Sequence, residues 1–272
     1  MNLPSNTFDL IYLDPPFNTG KTQIRTSIRV TQNDAGSRKG FQSKRYDTEV
    51  IGRRSYNDVF EDYLGFLEPR LVECHRLLTP TGSLFFHIDY REAHYCKVLL
   101  DKIFGRASFI NEIIWSYDYG ARSRKRWSTK HDNIFWYAKN PQEYIYNYDA
   151  IDRIPYMAPS LVGAQKAHRG KTPTDVWWNT IVSPSGKEKT GYPTQKPRNV
   201  LDRIVAVHSD PTSWVADFFA GSGTTGESCL HLKRSCVLAD TRLEAVETIQ
   251  KRLPEIQLLT LPHRPEFTPS NS

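Results

Sequence analysis

The residues best suited to do chemistry stand close to the start of the chain, in Asp14-Pro15-Pro16-Phe17. The preceding run, Phe8 to Leu13, is apolar and rich in β-branched and aromatic side chains, so it reads as a buried strand. Proline has no N–H to give to a sheet ladder, so the strand must stop there and turn. Such a turn presents one carboxylate, open backbone carbonyls and one ring at the end of a strand. That set suits an amino nitrogen conjugated to a base, which is a poor nucleophile because its lone pair is delocalised. Two acceptors gripping its N–H bonds, Asp14 and the Pro15 carbonyl, would turn that lone pair outward. Phe17 offers a face on which a base taken out of a helix could stack. The same four residues would also serve as a plain Pro-Pro turn with Asp14 as a local cap.

A second group lies near the other end. Asp217-Phe218-Phe219-Ala220-Gly221-Ser222-Gly223-Thr224-Thr225 follows the apolar Val215 and leads into a helical pattern. Glycine lets backbone approach a nucleotide-like ligand, and Gly221, Gly223 and Gly226 meet the GxGxxG spacing of a dinucleotide site. No Gly-Lys-Ser/Thr follows, which disfavours a triphosphate loop, and tight packing alone could also require the glycines. Spacing leaves the cofactor class open. Asp240, about 20 residues further on after the next strand, is placed to accept from the ribose of an adenosine, or else to cap the helix that begins near Leu243.

Several elements must hold these groups. Helical spacing of Leu64, Leu67, Leu71 and Leu78 predicts a helix over 63–78, followed by a strand over 83–88. A helix over 91–104 and strands over 109–116 and 133–138 come next, the last two suggesting an antiparallel pair at a sheet edge. A helix over 197–207, strands over 215–219 and 236–239, and a helix over 243–253 complete the pattern. Residues 18–57 are basic, with Arg38, Lys39, Lys44 and Arg45 among their cations, and read as a long mobile loop. Residues 147–190 lose all period and carry Arg169, Lys171, Trp177, Trp178 and Lys187. They read as an inserted recognition segment, with one of the two tryptophans serving as a core anchor. The basic residues of both stretches are candidates for phosphate contact and base readout, or else a solvated surface. The organisation expected is therefore 1–146 and 191–254 as two parts of one catalytic domain, 147–190 as the insertion, and 255–272 as a flexible tail.

Composition narrows the classes. A net charge of +6 and a pI near 9.0 fit a mildly basic protein with a polyanionic partner. The four cysteines lie outside any CxxC pair or His cluster, so neither zinc nor a disulfide framework is indicated. No apolar run reaches membrane-spanning length and the polar start is not a signal peptide, which points to a soluble cytoplasmic protein. Methylation of a cytosine ring carbon is set aside, because it needs a thiol nucleophile, typically in a Pro-Cys turn, and no cysteine here follows a proline.

Taken together, four pieces of the sequence make a resemblance: 9–20 around Asp14-Pro15-Pro16-Phe17, Gly82 to Asp89, Tyr192-Pro193-Thr194-Gln195-Lys196-Pro197, and Asp217 to Thr225. With them the chain resembles the amino-directed DNA methyltransferases of the permuted β group, in which a DPPY-type motif precedes the cofactor loop. Phe17, Phe218 and Tyr192 stand where tyrosine, proline and histidine are common in that family. The resemblance implies an α/β fold with a Rossmann-like, mostly parallel seven-stranded sheet, one antiparallel edge strand and permuted topology. It implies S-adenosyl-L-methionine as methyl donor and adjacency of the strands over 8–13 and 215–219. By residue, Asp217, Phe219, Gly221, Gly223 and Thr224 would line the cofactor. Asp240 would hold its ribose, Thr194 and Lys196 would lie near its methionine end, and Asp14, Pro15, Pro16 and Phe17 would hold the target base. The implied partners are double-stranded DNA, a second copy of the chain and a paired restriction endonuclease. Asp rather than Ser at position 14 leans toward N6 of adenine over N4 of cytosine. A DNA-binding protein without catalysis and a nicotinamide oxidoreductase are the readings from other classes. The intact Asp14, Gly221, Gly223 and Asp240 oppose the first, and the GxGxxG spacing is what speaks for the second.

Overall fold

The computed structural model describes residues 3–33, 35, 37–39, 44–120, 122–183 and 186–259. The chain divides into two compact units, one built from residues 1–15 and 64–272, the other from 16–63.

The larger unit is organised on β1 (Phe8–Leu13), whose buried residues mark it as a central strand. It pairs in parallel with β5 (Leu78–Asp89) on one side and with β9 (Trp214–Asp217) on the other. β10 (Ser235–Leu238) continues in parallel beyond β9. On the other flank β7 (His131–Ala138) runs antiparallel to both β5 and β6 (Phe109–Ser116), and β8 (Val176–Trp178) lies parallel to β6. The order is β10-β9-β1-β5-β7-β6-β8. The seven-stranded, mostly parallel sheet and the adjacency of β1 and β9 agree with expectation. The reversed strand differs in place: β7 is third from the border, with β6 and β8 outside it. The border strand β8 is three residues long, too short to raise a period in the sequence, although its burial does alternate about Trp177.

Alternation along β1 sorts its side chains between the two faces. Leu10 and Tyr12 join a buried cluster with Val200, Leu201, Ile204 and Val205 of α4 (Arg198–His208) and with Cys229 of α5 (Thr224–His231). Ile11 and Leu13, equally buried, point to the opposite face. The remaining helices of this unit are α1 (Tyr63–Leu77), whose first residue belongs to the smaller unit, α2 (Ala93–Phe104), the short α3 (Ala164–Arg169) and α6 (Leu243–Arg252). Asp14 is two residues beyond Tyr12, so the alternation carries it toward the α4 side at the carboxyl edge of the sheet. The chain order reverses between β1 and β9, which makes this edge the topological switch point where ligands of open α/β sheets bind.

The smaller unit corrects the expectation of a long loop over 18–57. There β2 (Lys21–Gln32) pairs antiparallel with β4 (Arg45–Asp58), in register from Lys21–Asp58 to Gln32–Tyr46 with one shift after Ser27, and β3 (Arg38–Lys39) lies outside β4. The strand signal is present in Thr22, Ile24, Thr26, Ile28 and Val30, which alternate with polar residues. Charge and the small polar residues around it mask the period. At the root of this unit the buried Asp58 carboxylate accepts from the N–H groups of Asn18 and Thr19, at 2.9 and 3.0 Å, and from the Thr19 hydroxyl at 2.6 Å.

Candidate active site

β1 ends in the Asp14-Pro15 step, and the side chain of Asp14 is 15% exposed. Its two carboxylate oxygens each accept from Lys196 Nζ at 2.6 Å. Lys196 sits just before α4, with its side chain 10% exposed. An ion pair with so little water around it holds firmly once formed, and loss of either partner strands a charge. Lys196 thus stands against Asp14, 182 residues away in sequence.

Beneath this pair runs a buried polar chain. The Tyr12 hydroxyl is 2.6 Å from His87 Nδ1, His87 Nε2 is 3.2 Å from Asp132, and the Tyr117 hydroxyl donates to Asp132 at 3.1 Å. Burial, followed by the charges of Asp14, Asp217 and Asp132, pushes the Tyr12 hydroxyl well above the usual tyrosine range. Tyr12 therefore keeps its proton, and His87 bridges it to Asp132 through its two ring nitrogens. Burial alone would raise the Asp132 carboxyl. The His87 hydrogen bond and charge, the Lys196 charge and the Tyr117 hydroxyl outweigh it and hold the group below the usual carboxylate range. Tyr12 and His87 lie inside two of the motif pieces, 9–20 and 82–89, which gave them no role of their own, whereas Tyr117 and Asp132 lie outside all four; the further signal is alternation, which sets Tyr12 two residues before Asp14 on one face.

The glycine loop faces the same edge. Asp217, 3% exposed, accepts from the Phe219 N–H at 3.0 Å and the Thr225 hydroxyl at 2.6 Å. Burial pushes its carboxyl up to about 7, with the charges of Asp14 and Asp240 adding to the rise against those two hydrogen bonds. Its place is inside the loop, fixing both ends. Gly221 and Gly223 have φ of +50° and +75°, a region costly for any residue with a Cβ. A Cβ on Gly223 would also come within 2.9 Å of Ile249 in α6. Packing against α6 therefore accounts for Gly223 before any ligand is invoked. Asp240 accepts from the N–H groups of Gly221 and Arg242, both at 2.9 Å, which leaves further lone pairs on its carboxylate. Thr224 donates to the Lys196 carbonyl at 3.1 Å and so ties the loop to the residue that holds Asp14. Arg252 closes the loop from α6 through the Ser222 carbonyl and Glu227.

The structure thus brings together Asp14, Lys196, Asp217, Gly221, Thr224 and Asp240. Phe219 packs near Phe66, with ring centroids 6.2 Å apart, and Thr194 stands exposed. Pro15 is buried. Pro16 and Phe17 open the smaller unit, where the Tyr63 hydroxyl donates to the Pro16 carbonyl. Arg169, Lys171 and Lys187 are spread over α3, an isolated antiparallel bridge to Ile154 and an exposed turn, with Arg169 3.9 Å from Asp149. Trp177 is buried and Trp178 is 69% exposed, so one tryptophan of the pair is the core anchor expected. Lys44 and Arg45 are exposed in the smaller unit; the side chains of Arg38 and Lys39 lie outside those described.

Comparison with known proteins decides the family. The DNA methylase family of N6- and N4-directed enzymes matches residues 8–251. The chain belongs to this DNA methylase family. Its relatives include the type II methyltransferase M.HpaI of Haemophilus parainfluenzae, 30% identical over 93% of this chain and 70% of the relative. The DNA adenine methyltransferase YhdJ of Escherichia coli is 27% identical over 92% of this chain and 78% of its own length. Among solved structures, the cytosine-N4-specific PvuII DNA methyltransferase superposes with a TM-score of 0.60 at 13% identity, over 92% of this chain and 80% of that one. The fold is that of the Rossmann-like methyltransferases. For a DNA methylase, the lysine on Asp14 is the feature that motif reading places near the site without giving it this partner.

Proposed function

We propose that this chain transfers a methyl group from S-adenosyl-L-methionine to the N6 amino group of adenine at a specific sequence in double-stranded DNA. The observation that carries the reading is the Asp14 carboxylate at the switch point, held by Lys196 at 2.6 Å and facing a loop closed by Asp240. Family membership supports DNA as substrate, and the relative named as a DNA adenine methyltransferase supports adenine.

The residues present fit the methyl donor by the chemistry of their donor set. Asp240 retains acceptor sites for a ribose diol, glycine backbone lines the approach, and no P-loop lysine or phosphate cradle accompanies them. Asp217, Phe219, Gly221, Gly223, Thr224 and Asp240 would hold its adenosine part, and Thr194 and Lys196 would border its methionine end. When bound, S-adenosyl-L-methionine supplies an electrophilic methyl group. Asp14 and the Pro15 carbonyl accept the two N–H bonds of the target amine, which turns its lone pair toward the donor and stabilises positive charge developing on the nitrogen. Lys196 fixes the direction of the carboxylate, which has lone pairs left for the amine. Pro16 sets the turn and Phe17 stacks on the displaced base.

Residues 147–190 act as the target-recognition segment within a catalytic domain formed by 1–146 and 191–254; the tail expected over 255–272 lies outside the described residues from 260 onward. Arg38, Lys39, Lys44, Arg45, Arg169, Lys171 and Lys187 meet phosphates or bases. The protein works in the cytoplasm as a homodimer beside a cognate restriction endonuclease. No helix among the described residues is long and apolar enough to cross a membrane.

The test is to incubate the protein with PCR-amplified, hence unmethylated, DNA and S-adenosyl-L-methionine, digest to nucleosides and identify the product by mass spectrometry. 6-Methyladenine that disappears with Asp14→Ala is expected. 4-Methylcytosine would move the target to cytosine, and undiminished product from Asp14→Ala would sink the mechanism.

A further inference from the structure

β6 runs in the same direction as β1 and β9, so the loop that leaves it, residues 117–130, opens on the same edge as Asp14 and the glycine loop. Trp127 lies in this loop and is 98% exposed. Tryptophan is highly buried on average, and leaving its large apolar surface in water is unfavourable, so full exposure on the same edge of the sheet as the site calls for a partner. Five cations, Arg122, Arg124, Lys125, Arg126 and Lys130, surround it within this loop, against the single acid Asp118. Arg122 pairs with that acid at 2.7 Å; among the described residues neither Arg124 nor Lys125 has a side-chain ion pair. The charge therefore fits a polyanion.

The loop is held in shape. The Ser123 hydroxyl accepts from the N–H groups of Lys125 and Arg126, at 3.2 and 3.3 Å, and Ser128 Oγ accepts from the Ser123 N–H at 2.7 Å. At its base Tyr117 donates to Asp132, and Arg126 reaches the Tyr90 hydroxyl at 3.5 Å. Between loop and sheet lies a cleft of about 330 Å³, to which Arg91, Arg126 and His131 contribute. A second exposed ring, Trp178 of β8, is in register with Ser116, the last residue of β6.

We infer that residues 117–130 form a duplex-DNA docking loop, with Arg124, Lys125 and Arg126 on phosphates. Trp127 is then the residue that stacks into the space a base leaves when it swings out to Asp14. The inference rests on the reading above. Removing a base from a duplex costs stacking on both neighbours, and an aromatic side chain in the gap restores part of it. A rigid loop ending in tryptophan, flanked by cations and opening on the catalytic edge, has the parts for that task.

The test uses the full chain, S-adenosyl-L-methionine and PCR-amplified plasmid duplex in single-turnover methylation. Trp127→Ala is expected to slow the saturated rate at least tenfold, and Trp127→Phe less than threefold. For the double variant Arg124→Ala/Lys125→Ala the slope of log Kd against log salt is expected to fall by about two, one for each phosphate that is no longer neutralised. A Trp127→Ala rate within twofold of wild type would overturn the inference. So would Trp127-dependent binding to vesicles of anionic lipid with no change in DNA methylation. If wild type itself leaves the duplex unmethylated, the methyltransferase reading fails and the loop's role falls with it, an outcome distinct from an active wild type that is indifferent to Trp127.

Discussion

Two kinds of turn leave the carboxyl edge of the same sheet and are built in opposite ways. The turn after β1 and the glycine loop after β9 are fixed by buried polar partners: Lys196 on Asp14, Thr225 and the Phe219 N–H on Asp217, Gly221 on Asp240, Arg252 across the loop. The loop after β6 is held mostly by its own serines and turns its largest ring to water. Groups that must meet reacting atoms to within a fraction of an ångström are over-determined by their surroundings. Groups that must meet a large outside partner are presented. Mutations should therefore separate the two regions, with stability and chemistry coupled in the first and uncoupled in the second.

The largest combined effect on stability and activity is expected at Lys196. Lys196→Met leaves the Asp14 carboxylate with little water and no counter-ion, which costs about 3 kcal/mol of stability. Methyl transfer should drop by on the order of 100-fold as the carboxylate loses its direction. Adding Asp14→Asn should return most of the stability and none of the activity. A denaturation midpoint for Lys196→Met equal to that of wild type would break the claim that this turn is held by the pair.

Asp217 gives a pH test of the same region. Its folded-state carboxyl, at about 7, lies above the unfolded value, so the unfolded chain loses this proton first as pH rises. The contribution to stability is complete below the unfolded pKa and is lost as pH climbs through about 7. Asp217→Asn removes that dependence. Denaturant melts should show the variant gaining on wild type by up to about 3 kcal/mol between about pH 5 and pH 8, one proton's linkage over that window. Parallel curves would mean that Asp217 is ionised and content in the folded state.

The sequence and the structure meet most closely where a residue type answers a backbone need. The stop at Asp14-Pro15, the extent of β1, the start of α1 and the closeness of β1 to β9 were legible because prolines, alternation and motif order each encode one local fact. The smaller sheet was hidden although Thr22, Ile24, Thr26, Ile28 and Val30 keep a period of two, because the intervening Arg25 and Arg29 made the stretch look like a solvated loop. Lys196 could be assigned to the site and not to its partner, since pairing across 182 residues depends on α4 packing against the β1 face. His87, though inside a motif piece, is not tied to Asp132 by the sequence for the same reason. The 117–130 stretch reads as a polar loop, but its exposed tryptophan and a buried one are the same letter.

A smaller effect separates two glycines of similar backbone conformation. Gly223 at φ +75° has Ile249 2.9 Å from where a Cβ would stand, whereas Gly120 in the exposed loop, at φ +84°, has only the Lys130 ammonium at 3.7 Å. Both alanine variants incur the backbone cost of roughly 1 kcal/mol, and Gly223→Ala adds about 1 kcal/mol of overpacking against α6. Equal losses of stability at the two positions would mean that the glycine loop is no more tightly fixed than the exposed one.

The smallest expected effect on stability is at Trp127, set against the same residue type in the core. Trp177 is buried and donates from Nε1 to the Thr174 carbonyl at 3.0 Å, and Arg203 lies 4.7 Å from its ring. Its replacement by alanine should cost about 3–5 kcal/mol, the usual range for a large aromatic removed from a core. Trp127, at 98% exposure, is part of no core, so Trp127→Ala should change stability by less than about 0.5 kcal/mol in either direction. A loss above about 1 kcal/mol at Trp127 would show that the loop packs onto the body of the protein in solution. In that case its ring would have a structural partner already, and the contrast between a fixed catalytic turn and a presented docking loop would collapse into two versions of the same packing.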